Sequence, residues 1–93
     1  MKKYDVLIVG LGPTGGTLAN LLALHGFSIL IVEKEKSFYP LPRAVHFDDE
    51  IMRVFQTIGI TKKFLKHTII NKGTKFVNSK NKEVLDWPRP RAV

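Results

Sequence analysis

The chemistry legible in this sequence rests on three glycines and one carboxylate. Gly10-Leu11-Gly12-Pro13-Thr14-Gly15 is a G-x-G-x-x-G, and Glu33 follows 23 residues after its first glycine. Gly10 permits a tight turn where a side chain would clash. Gly12 leaves the backbone open to a pyrophosphate, and Gly15 lets a following helix lie close against the preceding strand. Pro13 lacks the N–H that would go unpaired in a first helical turn, so it suits the helix start. That start offers free N–H groups and a partial positive charge to phosphates. A carboxylate at the Glu33 spacing can accept hydrogen bonds from ribose hydroxyls, and it argues against a 2′-phosphate, hence against NADP at this site. Gly10, Leu11, Gly12, Pro13, Thr14, Gly15 and Glu33 are therefore the candidate cofactor-binding residues. A glycine-rich turn with no ligand would leave the glycines and Glu33 as coincidences. Gly10 and Gly15 also have the G-x-x-x-x-G spacing of a P-loop, but Gly16 stands where the phosphate-holding lysine belongs, although Thr17 fits. That argues against nucleotide triphosphate hydrolysis.

The flanking segments are of the kind such a turn needs. Val6-Leu7-Ile8-Val9 is an apolar run of the length of a strand buried on both faces. Thr17 to His25 reads as a helix stopped by Gly26, and Phe27 to Val32 as a second strand ending at Glu33. The fold class is thus α/β: a Rossmann-like βαβ dinucleotide-binding unit, with a helix and a β-hairpin after it. Lys34 to Arg43, with Pro40 and Pro42, reads as loop. Arg43 ends it, where an arginine could reach a dinucleotide's phosphates or ribose, or simply lie on the surface.

Phe47-Asp48-Asp49-Glu50 opens the next helix, with acids in its first turn. Ile51, Val54, Phe55 and Ile58 give it one apolar face, and Gly59 stops it. A short helical turn is expected over Thr61 to Lys66. Strands are expected at Ile69-Ile70, Thr74 to Val77 and Glu83 to Trp87, the last two joined through Asn78 to Lys82 as a hairpin that Pro88 and Pro90 end. His25, His46 and His67 share no metal-ligand spacing, so no metal site is expected. The first-turn acids read as helix-start residues rather than catalytic ones. The tripeptide Arg-Ala-Val recurs at 43–45 and 91–93, a repeat too short to carry meaning.

The 93 residues allow one small domain, with a net charge of +7. Lys2 and Lys3 balance Asp5 and Glu33, so the excess lies after position 33, with thirteen Lys or Arg against six acids. These cations are scattered and no nucleic-acid motif accompanies them, so a solvated surface or a face for missing acidic parts is expected rather than nucleic acid. No run approaches the roughly 18 apolar residues of a membrane span. Met1-Lys2-Lys3 before an apolar run mimics a signal peptide, but Asp5 interrupts it. The absence of cysteine excludes disulfides and thiolate chemistry, and it fits the cytoplasm. A βαβ unit with a hairpin leaves open sheet edges and uncovered faces, which points to an incomplete domain.

YDVLIVGLGPTGGTLANLLALHGFSILIVEKE, continued by FYPLPRAVHFDDEIMRVFQTIGI, resembles the N-terminal part of FAD-dependent aromatic-ring hydroxylases. These are single-component flavoprotein monooxygenases of the 4-hydroxybenzoate hydroxylase type. Within them, PLPRAV before a DDE helix and the ending LDWPRP look like the 3-(3-hydroxyphenyl)propionate hydroxylase-like branch. The resemblance covers nearly the whole chain; its first third is shared with many flavoproteins, and PRAVHFDDE is the more specific part. It implies that Gly10, Gly12 and Gly15 cradle the FAD pyrophosphate, that Glu33 holds the adenosine ribose, and that Arg43 contacts FAD. It also implies hydroxylation of a small aromatic substrate with NAD(P)H and oxygen. The family's second flavin motif, Gly-Asp with a following His, is absent here. Residues 1–93 are therefore expected to be the N-terminal portion of a truncated FAD-binding domain, holding at most the ADP half of FAD, with no catalytic residue and no activity alone. The alternatives are a standalone dinucleotide-binding module without catalysis and a fragment of an NAD-dependent dehydrogenase.

Overall fold

The computed structural model describes residues 1–43 and 45–89, and the chain divides into two units, Met1–Lys62 and Lys63–Val93. The fold is mixed α/β, with β1 (Val6–Val9), α1 (Pro13–Leu24), β2 (Ile29–Val32), α2 (Asp49–Ile58), α3 (Thr61–Leu65), β3 (Gly73–Val77) and β4 (Glu83–Pro88) in chain order.

In the first unit β1 and β2 pair in parallel, with Val6 opposite Ile29 and Val9 opposite Val32. Because alternate side chains point to opposite faces, Val6, Ile8, Ile29 and Ile31 share one face. That face is half-buried or buried, and Ile8, at 8% exposure, is the buried hydrophobic residue among those described. The other face carries Leu7 at 59% and Val9 at 81%, with Leu30 and Val32 beside them. The apolar run was expected to be buried on both faces, but α1 covers only one.

An interlocked pair fixes the start of the parallel ladder. Ser28 N–H and Oγ both donate to Asp5 Oδ2, at 2.8 and 3.1 Å, while Asp5 N–H donates to the Ser28 carbonyl at 3.0 Å. Strand β2 begins at Ile29 rather than Phe27, because the Phe27 N–H is still turned to Leu22 O in the helix terminus at 3.3 Å. Gly26, at φ 84°, makes that terminus possible, and its N–H donates to Ala23 O. Helix α1 begins at Pro13, four residues before the expected Thr17. Proline is preorganised for a first helical position, and the close packing of Gly15 on β1 outweighs the poor helix propensity of the Gly15-Gly16 pair.

In α2, Asp48 is the N-cap, its Oδ1 accepting from Ile51 N–H at 2.9 Å, and Gly59 at φ 84° ends the helix. Val54, Phe55 and Ile58 are half-buried as expected, but Ile51 lies at the rim with 41% exposure and Met52 turns inward instead. The Phe55 ring meets Phe47 at 5.8 Å between centroids, in a tilted arrangement that aromatic pairs favour. Lys34 to Arg43 forms no helix or strand.

In the second unit β3 and β4 form an antiparallel hairpin with a register shift between Phe76 and Val77. Asn78 builds its turn, with Oδ1 accepting from Lys80 and Lys82 N–H at 2.9 and 3.0 Å and Asn81 in the left-handed region at φ 62°. Ile69-Ile70 forms no strand, although both residues favour one; Ile69 is 96% exposed and the ladder starts at Gly73. Pro90 and the second Arg-Ala-Val lie outside the described residues, as does Ala44 of the first. Among the described residues no helix is long and apolar enough to cross a membrane.

Candidate functional site

The glycine turn leaves β1 at its C-terminal end. Gly10 is in the left-handed region at φ 107°, and its N–H donates to Val32 O at 2.7 Å, extending the parallel ladder by one step. A Cβ on Gly15 would collide with the Gly10 carbonyl oxygen and press on Ile8 Cγ2 at 3.3 Å, so α1 can approach β1 this closely only through glycine. Gly12 differs in kind. Its backbone is extended (φ −91°, ψ −169°) and a Cβ there would meet nothing within 4 Å. The fold therefore places no demand on Gly12; the space in front of it is open for a ligand.

Helix α1 begins at this open point. Gly12 supplies no side-chain cap, no acid lies in the first turn, and Pro13 has no N–H to satisfy. The first-turn N–H groups of Thr14 and Gly15 have no intrahelical acceptor, and they carry the positive end of the helix dipole. Gly16 N–H is the first to turn inward, donating to Gly12 O at 2.9 Å. This arrangement suits an anionic group such as a phosphate.

Glu33 stands at the end of β2 and binds the turn directly. Its Oε1 accepts from Leu11 N–H at 2.8 Å and its Oε2 from Glu35 N–H at 2.9 Å. The Leu11 N–H is thus directed to the carboxylate rather than outward. Each carboxylate oxygen keeps acceptor capacity for a further donor such as a hydroxyl. A cleft of about 630 Å³ opens here, lined by Val9, Gly10, Val32, Glu33 and Lys34, at the carboxyl ends of two parallel strands where α/β sheets receive ligands. Arg43 stacks on Tyr39, its guanidinium carbon 4.0 Å from the ring centroid. The contact described for Arg43 is thus with its own loop.

The Glu35 N–H, and after it the Leu11 N–H, hold the Glu33 carboxyl below the usual carboxylate range; partial desolvation opposes this, and Lys34 adds to it. A depressed folded-state pKa contributes stability at pH above the unfolded value, and that contribution disappears as pH falls through the folded one. Glu33→Gln is expected to remove this dependence. Urea midpoints followed from neutral to acid pH should fall less steeply for the variant than for the parent chain. Parallel curves would show that the clasp adds nothing to the first unit.

Sequence reasoning missed the clasp between Glu33 and Leu11, the Asp5–Ser28 lock, and the stacking of Arg43 on Tyr39. The first two had a signal in retrospect: Asp5 and Ser28 immediately precede the two paired strands and Glu33 follows the second, polar side chains placed to reach a neighbouring strand's end.

A family profile described as FAD binding domain matches residues 3–92. Over 85 residues the chain is 46% identical to a probable NADH-specific resorcinol 4-hydroxylase of Rhodococcus jostii (strain RHA1), covering 91% of this chain and 16% of that protein. It is 41% identical over 88 residues to a 3-(3-hydroxy-phenyl)propionate/3-hydroxycinnamic acid hydroxylase of Mycobacterium avium (strain 104), covering 95% and 15%. A hydroxylase of the same description from Mycobacterium sp. (strain JLS) is 42% identical over 88 residues, covering 95% and 16%. The chain thus spans about a sixth of the length of these relatives. No solved structure matches it.

Proposed function

The chain belongs to the FAD binding domain family, and on that premise we propose that its first unit anchors the ADP half of FAD in a Rossmann-like βαβ arrangement. In this reading the N–H groups of Thr14 and Gly15 and the open backbone at Gly12 receive the pyrophosphate, Gly10 and Pro13 shape the turn, and Glu33 receives the adenosine ribose. The observation that carries the reading is the contrast at the turn: Gly15 is filled by the fold, whereas Gly12 faces open space beside an uncapped helix start. Glu33 fits the same role, because its bond to Leu11 N–H holds the carboxylate at the mouth of the cleft with acceptor capacity left over. Arg43 is assigned as a further FAD contact; to make it, the guanidinium would exchange Tyr39 for the cofactor.

In a protein of the relatives' length, residues 1–93 would form the N-terminal portion of one FAD-binding domain. Bound FAD would supply the redox chemistry for hydroxylating a small aromatic substrate with NAD(P)H and oxygen. The likeness to a resorcinol hydroxylase and to hydroxyphenylpropionate hydroxylases supports that substrate class. What this chain's own residues contribute is binding and orientation, and none is assigned a catalytic step; the 93-residue chain alone is proposed to be inactive. The absence of cysteine supports a cytoplasmic location.

The test is a titration of the chain with FAD and, separately, with NAD, followed by flavin fluorescence and calorimetry. FAD is expected to bind more tightly, and Glu33→Ala to weaken it by about tenfold, the scale of one lost hydrogen bond to a charged group. Equal or tighter binding of NAD would favour the dehydrogenase reading, and binding of neither would remove the site.

A further inference from the structure

The second unit holds a site of its own, at the end of the hairpin remote from the Asn78 turn. A cleft of about 380 Å³ opens there, lined by Ile70, Asn71, Lys72 and Arg89. The ladder brings its two cations together. Gly73 pairs with Pro88, and one step further Arg89 N–H donates to the Lys72 carbonyl at 3.0 Å, so Lys72 and Arg89 stand opposite each other. Like charges placed directly across a strand pair destabilise it. Elsewhere the same hairpin matches its charges, since Lys75 lies opposite Asp86.

The juxtaposition is held in place. Gly73 is at φ 144°, and a Cβ on it would come within 2.6 Å of Trp87 O and 2.8 Å of Pro88 Cα, so the two strands meet as closely as glycine allows. Asn71 secures the approach, its Oδ1 accepting from Gly73 N–H at 2.8 Å. With the oxygen so engaged, the Asn71 amide NH₂ remains as a donor. Among the described residues no acid forms an ion pair with either cation; the ion pair found there is Arg53–Glu50, on α2.

We propose that this cleft binds a small oxyanion, a carboxylate or phosphate group, between Lys72 and Arg89. Arginine and lysine both serve such groups, the first through its planar fork and the second as a point charge. The Asn71 amide adds a neutral donor, and Ile70, largely exposed, offers an apolar wall to the body of an organic acid.

The test is a ¹H–¹⁵N NMR titration of the 93-residue chain at low ionic strength, with hexanoate and, separately, with inorganic phosphate. Saturating shifts are expected at the amides of residues 70–73 and 89. The Lys72→Gln/Arg89→Gln pair should weaken binding by about tenfold or more, as expected for lost charge-assisted bonds. The Lys80→Gln/Lys82→Gln pair, an equal change of charge at the far turn, should leave it unaltered. The single change Lys72→Gln, at an exposed position, should act in the same direction with a smaller effect, and does not depend on the double variant folding. Tighter hexanoate binding would identify the carboxylate with an apolar body as the ligand, and tighter phosphate binding the phosphate group. Shifts that do not saturate, that are as large at Lys80 and Lys82, or that survive both the Lys72→Gln and double changes would overturn the proposal.

Discussion

A Gly15→Ala variant is expected to lose about 3 kcal/mol of stability, the upper part of the range for overpacking a close contact. The added methyl would fall on the Gly10 carbonyl oxygen, which is backbone and cannot rotate away, and against Ile8, the buried hydrophobic residue among those described. Relief requires α1 to lift from β1, which exposes Ile8 and disturbs the turn that Gly10 N–H fastens to Val32. A chain of this length buries about 60–65% of its unfolded surface and is marginal to begin with, so such a loss should leave most of the first unit unfolded at 25 °C. Urea denaturation followed by far-ultraviolet circular dichroism reads this directly. An unchanged midpoint would mean that the helix seats on the strand more loosely than described.

Gly12→Val is expected to do the reverse: leave the fold intact and abolish cofactor binding. The backbone at Gly12 is extended, a conformation open to any residue, and the new side chain would point into free space. Stability should fall by no more than about 1 kcal/mol, the scale of placing a poorer residue at a helix N-cap. In the proposed FAD site that same space receives the pyrophosphate. A valine there would hold the phosphates away from the Thr14 and Gly15 N–H groups, so affinity should fall by at least about tenfold for each charge-assisted bond lost. Comparison of the urea midpoint with the FAD dissociation constant separates the two effects. Unchanged FAD affinity in a folded Gly12→Val chain would dispose of the pyrophosphate assignment.

The contrast between these two glycines marks what a sequence can and cannot disclose. Both were legible as members of one motif, because the spacing of G-x-G-x-x-G is local. That one is pressed against a carbonyl and the other faces open space is a property of how α1 meets β1. The stops at Gly26 and Gly59 and the turn at Asn78 were legible for the same reason, since a left-handed residue or a side chain bonding its own backbone is encoded within a few positions. The early start of α1 was obscured by Gly15 and Gly16, whose poor helix propensity is overridden by the Pro13 start and the packing of Gly15. Ile69-Ile70 misled in the opposite sense: β-branched residues suit a strand, but a strand also needs a partner in register. Glu33 was read as a ligand for ribose from its position alone, while its bond to Leu11 N–H, 22 positions away, depends on an approach that only the folded chain brings about.

The parallel pairing of Val6 with Ile29 has a consequence for the birth of the chain. An antiparallel hairpin such as Gly73 to Pro88 can close soon after its turn is made, but β1 must wait for a partner 23 positions downstream. At ribosomal rates of about 5–20 residues per second, Val6-Leu7-Ile8-Val9 waits on the order of a second or more before β2 is synthesised, and longer until it clears the exit tunnel. Throughout that interval an apolar strand with an unsatisfied backbone edge is held close to the ribosome. The segment that later opens the glycine turn is thus the last part of its own strand pair to be protected, although it is the first to be made.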